Sequence, residues 1–244
     1  MIALIRSELL KLRTTRTALA LIVGMVALIV LFTLLSGLVT DDAFLLDRNN
    51  QFQVLANGSI ASAFAAVLGV LSLTTEVRHG TVRSTFLAEP RRTRVLAAKL
   101  VAITAFSLVL GVVGIGLSYA IGKICLDARG MPWLLTGSDV VLLLAGAVAS
   151  AVLWGAFALA IGAIVRNQVG AIVGLLIWTL LVESILFALV PSVGRYLPGQ
   201  ASNVLTEIGT PHQLPITAGV LVFLGYVALA AGAGAVVTAR RDVA

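Results

Sequence analysis

Charged residues are scarce in this chain of 244 amino acids, at 11% of the sequence, whereas hydrophobic residues make up 59%. A soluble domain carries about 25% charged residues. A globule of this size could neither bury so much apolar surface nor cover the remainder with polar groups. The composition therefore excludes a soluble globular enzyme, a disordered chain and a disulfide scaffold, and it predicts an integral membrane protein.

The residue types and motifs that carry most protein chemistry are also few. The single cysteine, Cys125, cannot form an intramolecular disulfide, and together with His79 and His212 it is too scattered to suggest a metal site. The P-loop pattern Gly-x-x-x-x-Gly-Lys-Ser/Thr and the Gly-x-Ser-Gly pattern of intramembrane serine proteases do not occur. We therefore expect no catalysis, no metal and no bound cofactor in this chain.

Long uncharged stretches predict six membrane-spanning helices, because a helix needs about 20 apolar residues to cross the hydrocarbon layer. The stretches are continuously apolar and lack the two-residue alternation of barrel strands. The predicted spans are residues 17–40, 58–76, 99–122, 139–165, 169–190 and 216–239. The expected fold is all-α, with residues 1–244 forming one transmembrane domain.

The distribution of positive charge predicts the orientation of these spans. Thirteen of the 17 Lys and Arg residues, counting Lys99 at the start of span 3, fall before the first span, between spans 2 and 3 or spans 4 and 5, or after the last span. Positively charged connections stay on the cytoplasmic side. Both termini and the large basic connection are therefore expected in the cytoplasm, and the net charge of +6 needs no nucleic-acid partner to explain it.

Residues 1–16 have the pattern of an amphipathic helix in the membrane interface. Ile2, Ile5, Leu9 and Leu12 recur at three- and four-residue spacings. The charged residues that fall mostly away from this stripe are Arg6, Glu8, Lys11 and Arg13. We expect the helix to anchor the first span at anionic lipid headgroups. A contact with a cytoplasmic partner is the alternative.

The connection between spans 2 and 3 predicts a short, isolated helix. Gly80 breaks the preceding helix and Pro90 cannot continue the next one. Residues 81–89 between them fit about two helical turns, with Val82, Phe86 and Leu87 forming an apolar edge. Another protein could bind such a helix. By composition alone, the segment is equally compatible with an ordinary basic loop that has no docking role.

Residues 191–215 form the longest connection on the predicted outer side. Four prolines interrupt it, yet it is too apolar for a free linker. Non-helical backbone is tolerated at membrane depth where protein covers it. The segment is therefore expected to lie on the outer membrane face or to dip into it.

Glu183 is the one carboxylate inside a predicted span and away from its ends. A charged residue in the membrane faces the helix bundle or a water-filled path by default. Glu183 could line a substrate route or couple to a proton. It could equally be protonated, or lie near the outer surface bonded to Tyr196 or to a backbone amide. The sequence does not separate these alternatives.

Small residues four positions apart allow helices to pack closely. The pairs are Ala158 with Gly162, Gly170 with Gly174, and Ala228 with Gly232. With 23 glycines in the chain, such spacings favour packing within the chain over a specific dimer face.

Two segments resemble the ABC type-2 permeases, the membrane subunits of bacterial ABC exporters. Residues 7–16, SELLKLRTTR, resemble the opening of these permeases. Residues 76–83, EVRHGTVR, followed by PRRTRVLAAK at 90–99, resemble their connection between spans 2 and 3. In span number and loop placement the resemblance covers the whole chain.

The resemblance implies a dimer, formed with a second copy or a related permease, that binds two copies of a separate cytoplasmic ATPase holding ATP and Mg. It identifies residues 1–16 as a connecting helix, 81–89 as a coupling helix and 191–215 as an extracellular re-entrant segment. The Arg166–Asn167 turn would be a second cytoplasmic contact. The ATPase-contacting region would comprise Glu76, Arg78, Thr81, Val82, Arg83, Phe86, Glu89, Arg91 and Arg92.

The expected function is that of the permease subunit of an ATP-driven exporter in the bacterial cytoplasmic membrane. The cargo would be amphipathic or hydrophobic, such as a drug, a peptide or a lipid-like molecule. A membrane anchor or sensor that recruits a cytoplasmic protein, and a proton-coupled transporter using Glu183, are the alternatives. Proton-coupled transporters usually carry several midplane polar groups and interrupted helices, and only one such group is visible here, which weighs against the second alternative.

Overall fold

The computed structural model describes residues 1–207 and 212–240, and within these ranges the chain is almost entirely helical and contains no strand. Residues 208–211, part of the predicted segment 191–215, and Arg241 lie outside the described residues. The described helices are α1 (Ile2–Thr14), α2 (Arg16–Leu38), α3 (Asp42–Leu45), α4 (Arg48–Leu55), α5 (Ala61–Arg78), α6 (Val82–Ala88), α7 (Arg92–Ala128), α8 (Gly137–Val165), α9 (Gln168–Ile177), α10 (Glu183–Leu189), α11 (Pro191–Gly194), α12 (Pro198–Asn203) and α13 (Ile216–Arg240).

Within the described residues, six helical segments are long and apolar enough to cross a membrane, which confirms the all-α class and the predicted number of spans. Span 1 is α2, span 3 is α7, span 4 is α8 and span 6 is α13. Span 2 runs from Arg48 to Arg78 and span 5 from Gln168 to Leu189. Span 3 has 37 residues and is about 55 Å long, because its helix continues past the uncharged stretch at both ends.

The spans alternate in direction and give the bundle two distinct ends. At one end, Lys11 Nζ on α1 lies 2.7 Å from Glu76 Oε1 on span 2, and Arg92 on span 3 donates to the carbonyl oxygen of Thr238 on span 6. We call this the basic end. At the opposite end, Arg129 on the turn after span 3 donates to the carbonyl oxygen of Gly37.

Spans 2 and 4 form the centre of the bundle, and spans 1, 5 and 6 lie at its edge. In the most apolar window, 61% of span 2 is buried but only 6% of span 5. Spans 2 and 4 meet backbone to backbone at Gly69 and Gly155, where a Cβ added to Gly69 would overlap the carbonyl oxygen of Gly155. Only glycine permits this approach.

Two spans depart from regular α-helix. Span 2 contains a 3₁₀ segment, Ala56–Ile60, between α4 and α5. Span 5 contains a π-helical segment, Trp178–Val182, immediately before Glu183. The 3₁₀ segment tightens its helix, whereas a π-helical turn widens the helix locally and is frequent at functional sites. The apolar sequence of span 5 carries no signal for this change.

Gly69→Ala is expected to lower the free energy of unfolding by about 1–3 kcal/mol, because the added methyl group must push spans 2 and 4 apart. Gly116→Ala on span 3 is the matched control, since a Cβ there meets no atom within 4 Å. Thermal unfolding of both variants in a mild detergent checks the expectation. Equal stability of the two variants would contradict it.

Candidate functional site

Helix α6 stands between spans 2 and 3 at the basic end, separated from both by residues that break helices. Gly80 has φ of +71°, a left-handed conformation that favours glycine. Glu89, before Pro90, is extended with φ of −134°. The helix lies one residue inside the predicted range at each end, and the sequence signals for its limits act as expected.

The apolar residues of α6 divide between the bundle and the outside. Val82 is buried against the bundle, and the ring of Phe86 lies beneath the guanidinium of Arg92 at 5.4 Å from its centroid. Leu87 is 84% exposed. A shallow depression on the surface is bordered by Arg83, Phe86, Leu87, Pro90 and Arg92. The outer face of α6 thus presents one leucine among cationic groups.

Other residues of the predicted contact region lie near this surface. Arg78, Thr81, Arg83 and Arg91 are exposed, as are Arg6 and Arg13 on α1. Arg166 ends span 4 in a left-handed conformation with φ of 54°, and the side chain of Asn167 accepts a hydrogen bond from the amide of Gly170. This turn lies at the same end, and Asn167 caps the first turn of span 5.

Two predicted residues lie instead inside the protein. The sequence pattern put Glu8 away from the packed face of α1 and Glu76 in the partner-contacting region. The structure buries Glu8 to 6% exposure and leaves the Glu76 side chain 11% exposed. Both carboxylates turn inward because they bind the ammonium group of Lys99, so neither is available to a docking protein.

Glu8, Lys11, Glu76 and Lys99 form what we call the ionic cluster. Lys99 is fully buried, and its Nζ lies 2.7 Å from Glu8 Oε2, 2.8 Å from Glu76 Oε1 and 3.0 Å from the carbonyl oxygen of Ser72. Lys11 Nζ lies 2.6 Å from Glu8 Oε1 and also donates to Glu76. Two ammonium groups and two carboxylates balance, so the cluster buries no net charge.

Partial burial of Lys11 lowers its pKa, but hydrogen bonds from its ammonium group to Glu76 and Glu8 outweigh this and hold the pKa above its ordinary value. Lys11 therefore stays charged throughout the physiological range. The cluster joins α1 to spans 2 and 3 at the points where these spans lead into and out of α6. The sequence does not indicate this cluster, because Lys99 follows a connection rich in Arg and has the same pattern as its other cations.

At the opposite end, Glu183 holds the segment that follows span 5. Its Oε2 accepts hydrogen bonds from the backbone amides of Gly199 at 2.7 Å and Gln200 at 3.3 Å. Oε1 is buried and, among the described residues, has no hydrogen-bond partner. Among the bonding partners that the sequence left open for Glu183, the structure shows backbone amides. Glu183 thus connects α10 to the first turn of α12.

The segment after span 5 packs into the bundle. A Cβ on Gly146 of span 4 would overlap the carbonyl oxygen of Leu205, and one on Gly219 of span 6 would lie 2.8 Å from the carbonyl oxygen of Ala201. Ser202 Oγ lies 2.9 Å from Ser150 Oγ, near the middle of span 4. The described part of this segment therefore enters between spans 4 and 6.

In comparisons with known proteins, no family model matches the chain and no curated protein matches it. Among residues 1–207 and 212–240, no group of three His, Cys, Asp or Glu side chains could hold a metal ion. Function must therefore be inferred from the surface at the basic end, from the ionic cluster and from the packing at the opposite end.

Lys99→Met is expected to destabilise the protein by about 3–5 kcal/mol, because it removes the buried cation and leaves two largely buried carboxylates with Lys11 alone to balance them. Lys123→Met is the matched control, since the Lys123–Asp127 pair is half-exposed at 3.4 Å and is worth less than about 1 kcal/mol. Thermal unfolding in detergent measures both. Adding Glu8→Gln and Glu76→Gln to Lys99→Met should recover part of the loss; no recovery would mean that packing, and not charge, is responsible.

Gly199→Ala is expected to release α12 from Glu183, because the new Cβ would lie 2.5 Å from Oε2 and displace the carboxylate from the amides. Hydrogen exchange of residues 198–203 should become about tenfold faster, equivalent to about 1.4 kcal/mol of local opening. Gly225→Ala on span 6, where a Cβ meets nothing within 4 Å, is the control. Unchanged exchange in Gly199→Ala would show that Glu183 does not hold the segment.

Proposed function

We propose that this chain is the permease subunit of an ATP-driven ABC exporter in the bacterial cytoplasmic membrane. It would move an amphipathic or hydrophobic molecule outward, while a separate cytoplasmic subunit binds ATP and Mg and supplies the energy. The resemblance of residues 7–16, 76–83 and 90–99 to ABC type-2 permeases supports the proposal. So do the six helices that are long and apolar enough to span a membrane.

The single observation that carries the proposal is α6. It is a short helix held outside the bundle, it is joined to spans 2 and 3 by only a few residues, and it presents Leu87 to the outside. The exposed leucine and the arginines beside it would fit a protein partner that offers an apolar pocket with an acidic rim. In this role α6 is the coupling helix, and α1 is the interfacial connecting helix.

The ionic cluster supplies a physical route from α6 to the spans. Glu76 lies in the last turns of span 2 and Lys99 in the first turns of span 3, on either side of α6 along the chain. Because the two side chains are hydrogen-bonded, the ends of these spans cannot separate without exposing a buried charge. A force applied to α6 by the ATPase would therefore move spans 2 and 3, together with α1, as one unit.

The basic end faces the cytoplasm in this proposal, in accordance with its excess of Lys and Arg. The segment from α11 onward would then be the extracellular re-entrant segment, entering between spans 4 and 6. A second permease copy would cover part of the apolar surface that spans 1, 5 and 6 leave exposed. The Arg166–Asn167 turn would make the smaller contact with the ATPase.

A mild-detergent pull-down of the full chain from its native membrane tests the proposal. Leu87→Glu should weaken recovery of a co-purifying ATPase by about tenfold or more, since it puts a charge at the centre of the contact. Phe86 and Glu89 are poorer choices, because Phe86 packs under Arg92 and Glu89 accepts a hydrogen bond from the amide of Arg91.

Leu46→Glu is the matched control, because Leu46 is 56% exposed at the opposite end. This variant should recover the ATPase as the unaltered chain does. An intact, membrane-inserted chain that brings down no nucleotide-binding protein, even after cross-linking, would contradict the exporter and favour the sensor or proton-coupled alternative.

A further inference from the structure

A cavity of about 250 Å³ lies between spans 2, 4 and 5 and the segment that contains α12. Its walls are apolar along spans 2 and 5, where Val67 and Leu175 face it. Its polar lining includes Ser62 of span 2, Ser150 of span 4 and Ser202 of α12. Of the described residues that line it, none is charged.

The three serines and Trp154 form a hydrogen-bonded chain. Ser62 Oγ donates to Ser150 Oγ at 3.0 Å, Ser150 and Ser202 share a bond at 2.9 Å, and Trp154 Nε1 donates to Ser202 Oγ at 2.9 Å. The three serine side chains are nearly fully buried. Each serine hydroxyl has one donor hydrogen, and the indole N–H of Trp154 supplies one more. The chain therefore holds four donor hydrogens but makes only three hydrogen bonds.

One hydrogen is therefore left without an acceptor in the chain. If Ser150 donates to Ser202, the hydrogen of Ser202 remains; if Ser202 donates to Ser150, that of Ser150 remains. Both side chains line the cavity. A buried donor without an acceptor costs about 1–3 kcal/mol, and a ligand that supplies an oxygen atom removes this cost.

The chemistry of the walls limits what this ligand can be. With no charged side chain facing the cavity, an ion would lose its hydration without gaining a partner. The spare donor needs an acceptor oxygen of a hydroxyl, ester, ether or amide. Leu176 and Leu180 border the cavity on span 5 and are 39% and 72% exposed, so its rim is apolar where it meets the surface of the bundle.

Span 5 is the wall of the cavity best able to move. It is the least buried span, and its π-helical segment contributes Thr179 and Leu180 to the lining. A helix with few packed neighbours and an irregular turn can adjust to ligands of different width at low cost. The opposite wall on span 4 is fixed by the serine chain and by the contact at Gly69.

We propose that this cavity binds an uncharged amphiphile, with an acceptor oxygen on the serine chain and an apolar tail along spans 2 and 5. That this ligand is the exported cargo rests on the proposed function. The binding itself does not, because the cavity is formed by residues of one chain.

Binding is measured on the purified full chain in phosphatidylcholine nanodiscs, without ATPase. Trp133→Phe and Trp178→Phe leave Trp154 as the only tryptophan, so its fluorescence reports on the cavity. The probe is a decanoyl monoglyceride with bromine beside the ester, because bromine quenches tryptophan on contact. A bromodecane without oxygen and a bromodecyl trimethylammonium ion are the matched comparisons.

Two Ala→Phe variants distinguish binding in the cavity from non-specific effects of the lipid probe. Ala63 lines the cavity and is exposed, so Ala63→Phe fills space without repacking the core. Ala105→Phe on span 3 adds the same ring at an exposed position outside the lining. We expect saturable quenching by the monoglyceride that weakens by about tenfold in Ala63→Phe and is unchanged in Ala105→Phe.

Equal quenching by bromodecane would overturn recognition of the oxygen, and stronger quenching by the ammonium ion would overturn the uncharged class. Quenching that does not saturate, or that Ala63→Phe leaves unchanged, would mean that the cavity holds water only. If the chain binds the monoglyceride but recovers no ATPase, the ligand site is supported and the exporter function is contradicted. If the chain recovers an ATPase but does not bind the monoglyceride, the exporter function is supported and the ligand site is contradicted.

Discussion

A buried ammonium group, that of Lys99, determines how the basic end of this protein is organised. An ion inside a helix bundle is tolerated only where opposite charges and further hydrogen bonds surround it. Glu8 and Glu76 meet that requirement from two different helices, and the carbonyl oxygen of Ser72 completes it. The position of α1 and the meeting of spans 2 and 3 both follow from keeping Lys99 paired.

Features that depend on local chemistry could be predicted from the sequence. Uncharged runs give the number of spans, and Gly80 and Pro90 give the limits of α6, because each acts through its own backbone or hydropathy. Features that depend on distant partners could not. The sequence gives no reason to pair Glu8 with Lys99, which lie 91 positions apart, and an isolated glutamate on an amphipathic helix usually faces water.

Small residues illustrate the same limit. Gly162 does pack against Val70, but Gly174 and Gly232 meet no neighbouring atom within 4 Å. A close backbone contact between spans instead joins Gly69 and Gly155, which lie on different spans and belong to no four-residue pair singled out in the sequence. The sequence likewise does not identify the partner of Glu183, because a backbone amide has no signature in the sequence. Only the fold brings Gly199 within reach.

The length of span 3 has a mechanical consequence. Lys99 lies near one end of this helix of 37 residues, while Arg129, just past the other end, is hydrogen-bonded to Gly37 and paired with Asp42. A rigid rod about 55 Å long that tilts by about 5° moves its far end by about 5 Å. Span 3 is therefore bonded through charged groups to other elements at both ends. A small tilt of this helix at the basic end would shift the residues bonded to it at the opposite surface, without any change in its own helical structure.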